Sequence, residues 1–464
     1  MSRKPLLTHD QTPITGMFWL PGDDANSFPG TLHLKAGKNA KLVTQQFNYG
    51  GFLNMFPGAQ RPAKGGTLRL ESEAFNEARR LPFHPLLYGH DEHGEEITLI
   101  RASSGSSRST LAMSSFEFSC QGVVFGAHVD PKAMKFGGIR LRVDHLDEWV
   151  GRCAFQHHSE TYADDEGKKR LSKITIPVAR DLAVPLGLPG YRSSQFFCAW
   201  SMSYGAQRFE LNGEVYLDLL FEKSLEWNEV LERAHRWEWF FSLATRDTLD
   251  LSYLELYPEC AEVDAGQFPL EGYGVWLRRR NSADPLHPKR GDHDFHFTYS
   301  DVASDFAGVI GRWHDLETSW EAVLHRFFAT TAPRDLWMNE EFLFLAQAVE
   351  SMHRGRNGGS KQNTDLNQAA KSAWEGAPPE LQALLGPKKD FINQFRKTRN
   401  YWTHYGEPSP TTDADVLDGT ALLYFNEKLR FVVEAGLLAA LGVPERCVAK
   451  AWSDQWRMRL IDFS

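Results

Sequence analysis

Cysteine is scarce in this chain. Cys120, Cys153, Cys198, Cys260 and Cys447 stand singly, with no Cys-x-x-Cys spacing. That pattern excludes a disulfide framework and a thiolate zinc site, and it suits thiols kept reduced. No apolar run approaches the roughly eighteen residues that a membrane helix needs, and the first residues lack the charged-then-apolar order of a signal peptide. The expectation is a cytoplasmic protein that neither spans a membrane nor is secreted. Gly-x-x-x-x-Gly-Lys, Gly-x-Gly-x-x-Gly and Gly-x-Ser-x-Gly are all missing, so nucleotide hydrolysis, dinucleotide binding and serine-hydrolase chemistry have no support. No cofactor is implied. Internal repeats and low-complexity tracts are absent as well. Basic charge is not in surplus either: 51 Lys and Arg against 60 Asp and Glu leave a net charge of −9. A general nucleic-acid coat would be basic overall, although a local basic site remains open.

What is present is ordinary globular material. The chain has 464 residues, 42% hydrophobic and 24% charged, enough for two or three domains with proper cores. Residues 1 to about 225 carry short alternating strands separated by glycine turns. Examples are Gly16 to Pro21, Gly30 to Lys35 with Lys41 to Thr44, Pro85 to His90 with Glu96 to Ile100, Gly122 to Val129, and Arg140 to Val143. This spacing predicts a sandwich or a curved antiparallel sheet. From Ser224 to about Thr245 the period becomes helical; strands return at Leu249 to Tyr257, Tyr273 to Arg279 and Phe295 to Tyr299.

Beyond this the chain reads as helical. Ser319 to Phe328 precedes a break at Thr331-Ala332-Pro333. Helices follow at Leu336 to Arg354, Leu366 to Trp374, Pro379 to Leu385, a stretch from Asp390 to Tyr405, Ala414 to Leu441 and Pro444 to about Trp456. The fold class expected is a multidomain α+β protein. An antiparallel, sandwich-like β-rich domain with helical insertions spans 1–300, a helical connector 301–333, and an all-α bundle 334–464.

The stretch beginning at Lys389 is the most informative. Phe391, Phe395, Thr398, Trp402 and Tyr405 recur at spacings of three and four, as on a helix with one buried face. Asp390 is placed to cap its start, and Gly406 with Pro408 to end it. The other face carries Arg396, Lys397, Arg399, Asn400 and His404. Arg399 and His404 lie about 140° apart around the helix and about 7.5 Å apart along it. One helix does not close them into a pair, but they can flank a shared cleft, or two such helices can face each other. In the last turn the helix dipole favours a protonated imidazole. An Arg that grips phosphate beside a His that moves a proton suits phosphodiester chemistry. The alternative is a surface Arg and a helix-ending His that only complement the dipole.

Arg399-Asn400-x-x-x-His404 on such a helix resembles the motif of HEPN domains, all-helical modules that often act as metal-independent ribonucleases. Gly16-x-Phe18-Trp19-x-Pro21, Gly30-Thr31-Leu32, Leu87-Tyr88-Gly89 and Ile97-Thr98-Leu99 resemble the N-terminal domain of ApeA-type HEPN proteins, which are bacterial anti-phage abortive-infection effectors. The resemblance implies an RNA-cleaving toxin held quiet until a phage-derived trigger arrives, with tRNA among its targets. It also implies two motifs paired across a homodimer or higher homo-oligomer formed through the HEPN domain, and no bound metal. Arg399, His404 and Asn400 would be the catalytic set. Glu350 and His353, one turn apart on the first bundle helix, form a second tier: Glu350 would brace the motif, or serve as a solvated residue of an amphipathic helix. Lys388, Lys389, Arg396 and Lys397 would draw in the RNA backbone, or else make an ordinary charged face.

Other candidates read more simply. His90-Asp91-Glu92-His93 and Asp292-His293-Asp294-x-His296 look like metal-ligand clusters, but hairpin-loop composition explains them better. Arg278-Arg279-Arg280 with Lys289-Arg290 suits an exposed charged loop. Two rival functions stay open: a non-catalytic nucleotide- or RNA-binding module, and a toxin silenced by modification of a tyrosine. The latter expects a Tyr two residues after the His, where this chain has Gly406, with Tyr405 adjacent to the His.

Overall fold

The computed structural model describes residues 7, 10–46, 83–109, 114–151, 158–163, 169–175, 183–204, 209–259, 268, 272–277, 295–331, 336–356, 365–405, 408–450 and 452. Strands β1 (Ile14–Trp19), β2 (Phe28–His33), β3 (Ala40–Gln46), β4 (Phe83–Asp91), β5 (Glu96–Ser109) and β6 (Ser114–Phe125) pair antiparallel in the order β6-β3-β2-β1-β4-β5. β5 then pairs β6, so the curvature expected of this half is carried to closure as a barrel. Phe18, Leu32, Leu42, Leu87, Leu99 and Phe118 are fully buried in this half. Gly89 stands opposite Phe18 in the β1–β4 ladder, and a β-carbon there would sit 2.4 Å from the Phe18 ring. The strand expected to reach Val129 ends at Phe125, where Gly126 turns the backbone to φ 89°.

β6 belongs to two structures. Along one edge it pairs β5 from end to end. Along the other, Ser114 to Cys120 pair β3, and Gly122 to Phe125 pair β14. The second arm of the sheet runs from that fork. Its elements are β7 (Lys135–Val143), α1 (Leu146–Val150), the separate hairpin β8 (His158–Ala163) and β9 (Lys169–Thr175), then β10 (Ala183–Pro185), β11 (Tyr191–Tyr204), β12 (Phe209–Glu226), α2 (Trp227–Thr245), β13 (Leu251–Pro258) and β14 (Tyr273–Leu277). α2 covers β7 and β12, and its Glu226 and Glu229 form a reciprocal capping box. Beside it Trp149 is ringed by Phe196, Phe240, Phe241, Phe297 and Phe306 at centroid distances of 5.1 to 6.1 Å. The opposite register positions of these strands hold buried charge: Arg140 grips Asp218 with two hydrogen bonds of 2.6 and 2.9 Å, and Gln195 adds a third to the same carboxylate.

Phe295 to Tyr299 is not a strand. Phe295, His296 and Phe297 are all buried, on a segment that crosses the Trp149 cluster, and the Trp149 indole donates to the Phe297 carbonyl at 2.8 Å. Thr298 and Asp301 then form a capping box that turns the chain into α3 (Tyr299–Val302). The alternating aromatics reflect burial on several sides, without a ladder partner.

The remaining helices are α4 (Phe306–Ser319), α5 (Glu321–Thr331), α6 (Met338–Arg356), α7 (Leu366–Glu375), α8 (Pro379–Leu385), α9 (Lys388–His404), α10 (Gly419–Leu441) and α11 (Glu445–Ala449). The long helix expected from Ala414 starts only at Gly419, because the preceding residues are stapled to α9: Thr398 Oγ1 accepts from the Leu417 amide at 3.0 Å. α10 is buried all round between Leu429 and Leu438, not on one face alone. It packs on α6 on one side and on α4 and α11 on others. Its Arg430 is ion-paired with Glu341 of α6, and its Glu434 lies 3.7 Å from His296. Arg312 of α4 donates to the Leu441 carbonyl at 2.6 Å, and Arg446 of α11 to Asp301 at 2.8 Å. Among the described residues no helix is long and apolar enough to cross a membrane.

The close approach at Gly89 makes the barrel testable. Gly89→Ala must displace the Phe18 ring or the backbone and is expected to lower stability by about 1–3 kcal/mol in denaturant unfolding. Unchanged stability would mean that Phe18 does not fill that space.

Candidate functional site

The motif helix α9 forms because one stripe of it is apolar. Phe391, Phe395 and Thr398 are buried, and Trp402 is half-buried with its indole donating to the Leu417 carbonyl at 3.1 Å. Three details differ from the pattern expected. Pro387, not Asp390, holds the N-cap position; Asp390 is the third helical residue, where its charge favours the N-terminal dipole. Tyr405, not Gly406, is the C-cap, and Gly406 itself lies outside the described residues. Tyr405 also leaves the buried stripe, being 67% exposed, since the stripe ends where α9 outruns the Asp413 to Leu417 segment that covers it.

Arg399 and Glu350 are brought together. Arg399 Nε donates to Glu350 Oε1 at 3.1 Å, and both side chains are largely shielded. A carboxylate on Nε leaves the two terminal nitrogens of the guanidinium as donors for another anion. Thr403 Oγ1 donates to the Arg399 carbonyl at 2.7 Å, and Asn400 and His404 are exposed.

The register of α6 against α9 shows what else lies near. Phe342 and Phe391 both pack on Phe425, at 6.2 and 5.5 Å. Eight residues later on each helix come Glu350 and Arg399, in contact. The two helices therefore run parallel and end at the same level. His353 and Arg354 on α6 lie one turn past Glu350, as Thr403 and His404 lie one turn past Arg399. Two helix C-termini, each with basic residues in its last turn, gather such side chains at one end of the bundle. Arg354 donates to Ser351 Oγ at 3.0 Å and is exposed; sequence reasoning missed it, and its signal was its place one turn beyond Glu350.

The basic set divides. Lys388 is ion-paired with Glu375, whose carboxyl is held below its usual range by that hydrogen bond. Lys397 reaches both Asp413 and Asp415 at 2.7 Å, and these hydrogen bonds raise its pKa and lower that of Asp413. Lys389 is exposed, and Arg396 is half-buried with its Nε lacking a hydrogen-bond partner among the described residues. Lys397 thus holds the Asp413–Asp415 turn onto α9. That clasp was not anticipated, although Thr412-Asp413-Ala414-Asp415 has the composition of an Asx turn.

Elsewhere, Asp91 Oδ1 accepts from the amides of His93 and Glu95, so the His90 to His93 cluster closes the β4–β5 hairpin. Among the described residues no group of three or more His, Cys, Asp or Glu side chains is placed to hold a metal ion. Asp292 to Asp294, Arg278 to Arg280, Lys289 and Arg290 lie outside the described residues.

Comparison with known families adds two matches. Residues 13–313 match the ApeA N-terminal domain 1, and residues 343–447 match the Apea-like HEPN. The second match contains Glu350, His353, Arg399, Asn400 and His404. No curated protein and no solved structure matches the chain.

The Arg399–Glu350 contact makes a quantitative expectation. A double-mutant cycle with Glu350→Gln and Arg399→Gln should give a coupling of about 1 kcal/mol in unfolding free energy, more than a fully exposed pair usually shows. Additive losses would mean that the two side chains do not meet in solution.

Proposed function

Since the chain belongs to the ApeA family and ends in an Apea-like HEPN region, we propose that it is an anti-phage effector whose helical bundle is a metal-independent endoribonuclease. The observation that carries this reading is Arg399, held by Glu350 with its terminal nitrogens left over, five residues before an exposed His404.

The chemistry follows from those two groups. An RNA 2′-hydroxyl attacks the adjacent phosphorus, the bond to the 5′-oxygen breaks, and the products are a 2′,3′-cyclic phosphate and a 5′-hydroxyl. His404 takes or gives the proton, a role that typically contributes about 100- to 10,000-fold. Arg399 binds the scissile phosphate and offsets the charge that grows on its oxygens. Asn400 orients His404 or donates to the phosphate. Glu350 is a positioning residue that fixes the guanidinium, and His353 and Arg354 extend the basic end of the bundle along the RNA backbone. One histidine serves one proton transfer at a time, so a second copy of the chain, bringing its own motif, would supply the other. Cellular RNA, tRNA included, is the substrate class. This reading places the protein in the cytoplasm, with a phage-derived signal as its trigger.

The expected result with purified protein and tRNA in EDTA is cleavage that leaves cyclic phosphate ends. Arg399→Ala and His404→Ala should each lower it at least about 100-fold. Cleavage that survives both substitutions would remove the enzyme assignment; RNA binding without any cut would favour a binding module.

The N-terminal region, in the same proposal, restrains the bundle through α10 and α11. Arg312→Ala combined with Arg446→Ala, which removes the contacts to the Leu441 carbonyl and to Asp301, is expected to raise toxicity in uninfected cells. Growth equal to that with the unsubstituted protein would argue against restraint by this route.

A further inference from the structure

Tyr405 takes the left-handed backbone conformation, φ 50° and ψ 36°, at the end of the motif helix. This position usually falls to glycine, because a β-carbon strains the backbone there. A glycine follows at once in the chain, so the strain is not forced by a lack of one nearby. Non-glycine residues persist in this conformation where the surroundings hold them, and such places concentrate at functional sites.

The ring is also exposed. Among the described residues the large hydrophobic side chains open to solvent are Trp337, Met338 and Tyr405, and only Tyr405 stands beside the motif. Exposure does not leave it loose. The Tyr405 ring lies 6.1 Å from Tyr401 at 64° and 5.9 Å from Trp402 at 88°, and those two meet edge to face at 4.9 Å. Trp402 is tied in turn to the Leu417 carbonyl. A braced aromatic ring with most of its surface uncovered, next in sequence to His404, has the form of a stacking platform.

We propose that Tyr405 stacks on the nucleobase next to the scissile phosphate of single-stranded RNA, and so sets which phosphodiester meets His404. The inference rests on the ribonuclease reading and adds a substrate-positioning residue to it. A π-face accepts any base, so the platform would favour unpaired loops and ends over duplex without imposing a sequence.

The test uses full-length protein and a twelve-nucleotide single-stranded RNA holding all four bases, whose cleavage site is mapped first. Versions of this RNA then carry an abasic nucleotide on either side of that site. Tyr405→Gly is expected to cut the intact RNA about tenfold more slowly, with unfolding temperature unchanged or raised by relief of the backbone strain. Tyr405→Phe should cut at the original rate. One abasic RNA should slow the unsubstituted protein by the same factor and leave Tyr405→Gly no slower, because both changes remove one contact. Multiplying losses, or equal rates for Tyr405→Gly and the unsubstituted protein, would overturn the stacking role alone. A Tyr405→Gly protein that changes oligomeric state in light scattering would overturn it in favour of a contact between copies. No cleavage by the unsubstituted protein would overturn the ribonuclease reading and the stacking role with it.

Discussion

Helix α10 has no wet side along its middle. Between Leu429 and Leu438 every described residue is buried or nearly so, whether it faces α6, α4 or α11. Burying that much leucine and valine stabilises the fold by roughly 1.5–3 kcal/mol per side chain. It also removes any slack between the β-rich half and the helical half. The two charges inside this stretch, Arg430 and Glu434, are tolerated because each meets groups from distant parts of the chain: Glu341 for the first, His296 for the second. The bundle therefore does not hang from the barrel and sheet by a linker. It shares α10 with α4, whose Phe306 packs on Trp149.

α6 touches both that shared helix and the motif helix. α6 presents Leu345 and Met352 inward and Glu350 toward α9, so one element both seats α10 and aims the guanidinium of Arg399.

Much of this was legible from residue order. Period located α2, α6 and α9, and period with a breaker located α7 and α8, which stop at Gly376 and Gly386. The β-hairpins announced themselves through Gly37 and Gly94, and the Arg399 to His404 spacing identified the motif helix. What stayed hidden depended on partners far away in the chain. Phe295 and Phe297 alternate like a strand but answer to Trp149. Ala414 to Leu417 carries a helical period, but Lys397 and Thr398 hold it otherwise, through Asp415 and Leu417. Tyr405 fitted the apolar period but lay one turn beyond the segment that covers α9. The circumferential burial of α10 could not be read from a helix carrying Arg430 and Glu434, since its counter-charges come from elsewhere.

β6 carries one further consequence. A strand that completes a cylinder on one edge and divides its other edge between that cylinder and an open sheet is a common wall. Pulling on the sheet therefore loads the same backbone that keeps the cylinder shut.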